Sequence, residues 1–174
     1  YMGNNVRDQD GHLAVFQELS ASPTTIHTVN CSIAYGALPG NKSTTSDAQS
    51  AYVQALLKSG CETWIGFPKF LWPDEWHGRG FWRPHCLLKK ALYGHPESGG
   101  HWEKHLEEIV CNLGGEPIPN HKSSYWFANE KLFLTIYVDD LMLSGPRGAH
   151  EKFWKTLQAH VKLDDPEPLS DFLG

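Results

Sequence analysis

The chain has 174 residues, with 15 Lys and Arg against 20 Asp and Glu for a formal net charge of −5, and its composition is 40% hydrophobic and 12% aromatic. That size and apolar share make one folded domain with a sizeable core, exclude a disordered chain, and give no bulk electrostatic signal for a nucleic-acid partner. With no run of about 18 apolar residues and no basic-then-apolar pattern at the N-terminus, a soluble protein is expected, and the scattered Cys31, Cys61, Cys86 and Cys111 suit reduced thiols rather than a zinc knuckle or disulfide framework.

In chain order, residues 1–21 are polar and rich in Gly, Asn and Asp, with one short strand candidate at Leu13-Ala14-Val15-Phe16. Ser22-Pro23 reads as an N-cap with proline at the first helical position, and Ile26, Val29, Ile33 and Ala37 follow at helical spacing. Lys42 to Asp47 is a weak, Ser/Thr-rich strand ending at an aspartate, and Ala48 to Lys58 favours a helix stopped by Ser59-Gly60. Glu62 to Phe67 is strand-like, 68–80 is a loop broken by Pro73, Gly78 and Gly80, and Cys86 to Lys90 resumes order before the turn Tyr93-Gly94-His95-Pro96. The clearest helix places Trp102, Leu106, Ile109, Val110 and Leu113 on one face, with Glu103, Lys104, Glu107 and Glu108 opposite and Gly114-Gly115 as its stop. Ser124 to Ala128 is a short strand, and a turn at Asn129-Glu130-Lys131 leads on to Leu132. After Gly145-Pro146 a last helix buries Phe153, Trp154, Leu157 and Val161, and the acidic, Pro-rich residues 164–170 read as a linker or loop.

The chain is organised around Leu132-Phe133-Leu134-Thr135-Ile136-Tyr137-Val138-Asp139-Asp140-Leu141-Met142-Leu143. The apolar, β-branched run is a buried strand, and the two adjacent aspartates belong at a tight turn before a second strand. The predicted fold class is therefore α+β: an antiparallel sheet built on this hairpin, with helices packed on one face. Two carboxylates at the edge of an apolar core are costly unless a cation neutralises them, and a divalent metal is the simplest one. Asp47, distant in sequence but at the end of a strand, is the candidate third ligand. Three such carboxylates suit two Mg²⁺ ions, roughly 3.5–4 Å apart, in an in-line phosphoryl displacement. An Asp-Asp pair alone is equally a backbone turn signal.

Tyr137-Val138-Asp139-Asp140 between apolar strands resembles the signature of reverse transcriptases. Leu88-Lys89-Lys90-Ala91-Leu92-Tyr93-Gly94 followed by Trp102 is similar to a segment of Ty1/copia-type retrotransposon polymerases. Asp47-Ala48-Gln49-Ser50-Ala51-Tyr52 resembles their aspartate-then-aromatic motif, Trp64 to Phe70 the stretch after it, and Asp171-Phe172-Leu173-Gly174 their short Phe-Leu-Gly motif. The likeness runs in order from about Pro23 to Gly174. It implies a palm-type sheet with partial fingers, divided into an N-terminal fingers remnant (1–21) and a fingers/palm domain (22–174) of a longer polyprotein. The chain's two ends also read as those of a fragment.

The implied activity is RNA-directed DNA synthesis, with dNTP, a primer and an RNA or DNA template as partners and RNase H and integrase domains elsewhere. The implied cofactor is a pair of Mg²⁺ ions, with Mn²⁺ as a substitute, held by Asp47, Asp139 and Asp140. Tyr52 matches the aromatic under the incoming sugar, Tyr137 packs beside the primer end, and Glu97 stands where the family carries a nucleotide-holding glutamine. Arg79, Arg83, Lys89 and Lys90, interleaved with aromatics, are the candidate nucleic-acid contacts, against the alternative of a solvated sheet edge. The implied location is intracellular, in a cytoplasmic virus-like particle or the nucleus.

Three departures stand beside the likeness. His95-Pro96-Glu97-Ser98-Gly99-Gly100 replaces the usual Gln-Ala-Pro run, and a carboxylate there would repel a triphosphate. Ser43-Thr44-Thr45-Ser46 is polar where the family strand is apolar. No triphosphate-gripping Lys/Arg pair precedes it, Arg7 being a poor candidate. They leave open a catalytically decayed copy that at most binds nucleic acid, and an unrelated α+β fold in which Asp139-Asp140 is only a turn. His101 and His105 have zinc-compatible i, i+4 spacing but no third ligand, so they read as a surface pair. No Gly-x-Ser-x-Gly supports a serine hydrolase.

Overall fold

The computed structural model describes residues 23–170 together with 7, 10, 12, 13 and 172. The strand candidate at 14–16, the predicted cap at Ser22 and most of the Asp171–Gly174 motif lie outside the described residues.

Helix α1 (Ile26–Gly36) leads into β1 (Asn41–Asp47), the one-turn α2 (Ala51–Gln54), and an excursion bounded by β2 (Trp64–Gly66) and β3 (His85–Leu87). Helix α3 (Ser98–Asn112) follows, then β4 (Glu116–Pro117), β5 (Ser124–Phe127), β6 (Leu132–Tyr137), β7 (Asp140–Pro146), α4 (His150–Gln158) and β8 (Glu167–Pro168). The main sheet has the order β4-β5-β6-β7-β1-β8, antiparallel at every pairing, and β2 and β3 form a separate two-stranded ladder. The expected α+β class and its central hairpin are both present.

One face of the sheet carries the core. Leu132, Leu134 and Ile136 of β6 and Leu141 and Leu143 of β7 meet Trp102, Leu106 and Val110 of α3 and Phe153, Trp154 and Leu157 of α4, all buried. Alternation along the strands turns Thr135, Met142 and Ser144 to the opposite face. Helix α1 covers that face, its Ser32 hydroxyl donating to Ser144 Oγ at 3.0 Å and Thr24 Oγ1 lying 3.2 Å from Ser124 Oγ. The expectation of helices on one face is thus met by α3 and α4 and corrected by α1. The signal was in α1 itself: its buried residues include Thr28 and Ser32, which suit a hydroxyl-lined face and not the apolar one.

The polar side chains of β1 find partners on both faces of the sheet, Ser43 on the α1 side and Thr44 and Ser46 on the side of Leu143 and Leu141. Ser43 Oγ lies 2.8 Å from Ser144 Oγ, and Ser46 Oγ donates to the Asp164 carbonyl at 2.7 Å. Thr44 Oγ1 receives the Trp154 indole N–H at 2.8 Å and bonds His150 Nδ1 at 2.8 Å, while His150 Nε2 bonds the Gly145 carbonyl at 3.1 Å. Buried hydroxyls are tolerated when each finds a partner, and these do.

Boundaries differ where local backbone geometry and bonding depart from the helix. Helix α1 begins at Ile26 after an N-cap at Thr25, whose backbone is extended (φ −95°, ψ 157°) and whose hydroxyl accepts the Thr28 N–H at 3.3 Å, while Thr24 N–H bonds Ile136 O on the sheet. The helix expected from Ala48 to Lys58 is cut to four residues, Ala51–Gln54. Ser50 sits in the left-handed region at φ +51°, which delays the start, and beyond α2 Leu57 N–H goes to Lys89 O while Ala55 O takes Ala91 N–H, so these groups are not free for helical bonds. Residues 164–170 are not a linker: β8 pairs with β1 and closes that edge of the sheet, with Asp164 and Asp165 exposed as expected.

Candidate active site

The β6–β7 register runs without slip from Phe133 opposite Ser144 to Tyr137 opposite Asp140. This leaves Val138 and Asp139 alone as the two-residue turn. The turn therefore holds one aspartate, not two, and Asp140 is the first residue of β7. Val138 carries a φ of +56°, and a positive φ at the first turn residue is a hairpin geometry that favours glycine. A β-branched residue there is strained.

Asp140 is also paired across β1 with Asp47. Two acidic residues directly opposite each other on one sheet repel unless they share a proton or a cation. Burial first, then the charge of Asp47, hydrogen bonding with its carboxyl and the charge of Asp139 push the Asp140 pKa from 3.8 up to about 6. The topology thus brings Asp47 to the hairpin, as the sequence pattern required.

The surrounding backbone is fixed from three directions. Ala48 N–H donates to Asp139 O at 2.8 Å, Asp164 N–H to Asp47 O at 2.9 Å, and the Trp102 indole N–H to Val138 O at 2.6 Å. Asp164 is another carboxylate near Asp47, but its Oδ1 is taken by Gln49 Nε2 at 2.6 Å. Tyr52, on α2, sits close enough to Asp139 for that charge to raise its pKa, after burial and ahead of Tyr93. Its ring lies against Tyr93, with centroids 4.4 Å apart and planes tilted by 31°. Tyr93 reaches this place because Ala91 N–H bonds Ala55 O and Leu57 N–H bonds Lys89 O, tying that segment to the end of α2.

A family model described as reverse transcriptase (RNA-dependent DNA polymerase) matches residues 16–174. The chain belongs to the reverse transcriptase family. No curated protein matches it. Reverse transcriptases use divalent metals, and the oxygen donors of Asp47 and Asp140 have the hard-ligand chemistry such ions take. Two opposed carboxyls whose charges raise the pKa of Asp140 are a pair short of a cation. Among the described residues, however, no group of three or more His, Cys, Asp or Glu side chains already stands in a metal-holding arrangement.

The other expected site residues of this reverse transcriptase domain are more dispersed. Tyr137 is 37% exposed beside the turn, whereas Glu97 is only 6% exposed, at the start of α3. Glu97 Oε2 lies 4.0 Å from His101 Nε2, too long for a hydrogen bond, and neither atom has another hydrogen-bond partner. His101 and His105 are therefore not a surface pair: His101 turns to Glu97, and the His105 ring lies 6.1 Å from the Trp102 ring. Arg79, Arg83, Lys89 and Lys90 are all exposed, and Lys90 Nζ also donates to Gln54 O at 2.8 Å. The excursion that carries Arg79 and Arg83 is braced by T-shaped contacts of Trp76 with Phe67, Trp72 and Phe81. It leaves Phe70 and Trp82 in solvent, at 83% and 89% exposure. In the sequence, Trp102 stood out as a core-facing helix residue and, with Tyr93, as a motif marker, but neither as part of the site. The available signal was that a buried Trp needs an acceptor for its N–H.

Proposed function

We propose that this domain is the polymerase of a Ty1/copia-type retrotransposon. It would extend a primer on an RNA or DNA template by nucleotidyl transfer from dNTP, with residues 22–174 as fingers and palm, 1–21 as a fingers remnant, and RNase H and integrase domains elsewhere in a polyprotein. The observation that carries the reading is the cross-strand pair of Asp47 and Asp140, with Asp139 next in the turn.

Asp47, Asp139 and Asp140 would hold two Mg²⁺ ions, with Mn²⁺ able to replace them. Bound there, such ions lower the pKa of an attacking hydroxyl and stabilise the departing pyrophosphate. The chain's own residues do the rest. The sheet register holds Asp47 and Asp140 opposite each other, and Ala48 and Trp102 hold the turn that bears Asp139. Tyr52, backed by Tyr93, offers a flat ring near Asp139 against which a deoxyribose fits and a 2′-hydroxyl does not. Tyr137 lies beside the primer end, and Arg79, Arg83, Lys89 and Lys90 contact phosphates.

A decayed copy is the alternative. Two of the departures behind it carry less weight in the folded chain than in the sequence: Glu97 is buried against His101, away from an open surface, and the hydroxyls of Ser43, Thr44 and Ser46 are bonded.

The test is Mn²⁺ titration of the metal-free chain by electron paramagnetic resonance, with primer extension on a homopolymer RNA template in parallel. Asp47→Asn and Asp140→Asn should each weaken Mn²⁺ binding by more than the roughly 10–100-fold that loss of a partner around a ligand costs. Both should abolish extension. Unchanged Mn²⁺ affinity in both variants would overturn the metal reading, and binding without extension by the wild-type chain would favour the decayed copy.

A further inference from the structure

We propose that Trp102 is a positioning residue: through its indole N–H it fixes the turn that carries Asp139, and so sets where that carboxylate stands. The importance of that carboxylate rests on the function proposed above; the positioning itself does not.

Val138 occupies the left-handed region, φ +56°, where a β-branched side chain is unfavourable. Such a conformation persists only when its surroundings over-determine it. Both carbonyls of the two-residue turn are bonded from outside the hairpin, that of Asp139 by Ala48 N–H at 2.8 Å and that of Val138 by Trp102 Nε1–H at 2.6 Å. Only the second bond comes from a side chain. Trp102 is 1% exposed, so water does not compete for its N–H, and α3 is anchored in the core by Leu106 and Val110 one and two turns further on. The donor is thus rigid while its acceptor is strained. A cavity of about 20 Å³, walled by Gly99, Trp102, Ile136 and Val138 among others, lies directly beside the turn. That is room for about one water, and it gives the turn somewhere to relax once the bond is broken.

Trp102→Phe keeps an aromatic ring in the core and removes the donor. Val110→Ala, on the same helix but away from the turn, controls for general loosening of α3. Hydrogen exchange of the peptide spanning residues 137–141 is measured on the metal-free full chain of each variant, at a temperature where circular dichroism shows both folded. Exchange should be at least tenfold faster in Trp102→Phe and within twofold of wild type in Val110→Ala. Mn²⁺ affinity should fall at least tenfold in Trp102→Phe only. Adding Val138→Gly, which accepts the positive φ without strain, should recover most of that loss. Unchanged exchange in Trp102→Phe, equal effects in the two single variants, or no recovery with glycine would overturn the proposal. Failure of the metal reading shows itself differently, as absence of Mn²⁺ binding by the wild-type chain.

Discussion

At Asp140 a single carboxyl belongs to two strand pairs, opposite Tyr137 on one side and Asp47 on the other. Its folded pKa is raised to about 6 from an ordinary 3.8, by burial, by Asp47 and by Asp139. The native state therefore holds a proton that the unfolded chain has already released between about pH 4 and 6. Stability from this group is fully present below pH 4 and is lost as pH rises through 6. The shift would be worth about 3 kcal/mol undiminished. Solvent screens a half-exposed carboxyl, so a loss on the order of 1 kcal/mol is expected. In denaturant melts of the metal-free chain, the stability of the wild type relative to Asp140→Asn should fall by this amount between pH 4.5 and pH 7. Mg²⁺ added at pH 7 should restore stability to the wild type and not to that variant, since the cation replaces the proton.

At the scale of elements, β1 and α4 are joined by a buried polar relay. The Gly145 carbonyl only accepts, so His150 Nε2 carries the proton, and Nδ1 accepts the Thr44 hydroxyl, which itself receives the Trp154 N–H. Thr44→Val keeps the shape and leaves His150 Nδ1 and Trp154 Nε1 without partners. A loss of about 2–6 kcal/mol should appear in urea denaturation, the usual 1–3 kcal/mol for each of the two groups left unsatisfied. Burial is the first cause that lowers the His150 pKa, and the Lys42 charge adds to it, while the bond to Gly145 opposes them. A histidine with a depressed folded pKa gives stability that is present above its unfolded value near 6.5 and lost as pH falls through the folded value. This runs opposite to Asp140, and burial lowers the His95 and His105 pKa values as well, so melts of Asp140→Asn should expose the combined histidine slope, with the His150 share read from its loss in Thr44→Val.

Over the whole molecule, charge is segregated. Residues 67–90 hold Lys69, Arg79, Arg83, Lys89 and Lys90 against Asp74 and Glu75, a net of +3 within a chain of −5, which leaves −8 for the remainder. Bulk charge hid this patch, which the braced aromatic excursion and the segment after it present to solvent. If Arg79, Arg83 and Lys89 bind phosphates, replacing all three by Ala should weaken binding to a labelled single-stranded oligonucleotide. The slope of log affinity against log salt in fluorescence anisotropy should fall by about 2, at roughly 0.7 for each phosphate no longer neutralised. An unchanged slope would assign the patch to a solvated edge. Among the described residues no helix is long and apolar enough to cross a membrane.

The sequence by itself determined the α+β class, the β6–β7 hairpin and the amphipathic α3 and α4, and it offered Asp47 as a candidate partner of the hairpin aspartates; only the sheet register set it opposite Asp140. Those features are written in local periodicity and in motif order, which the chain carries without needing its fold. Tertiary structure decided the rest. Competition for backbone amides shortened α2, and an unslipped register put Asp140 in a strand instead of the turn. The hydroxyls of β1, a sign of decay in the bare sequence, became bonded once Ser144, His150 and Trp154 arrived from more than 90 residues away. Trp102 stands 36 residues before the carbonyl it holds. Hydrogen bonds across such distances leave no periodic trace, because each depends on where two separate elements come to rest.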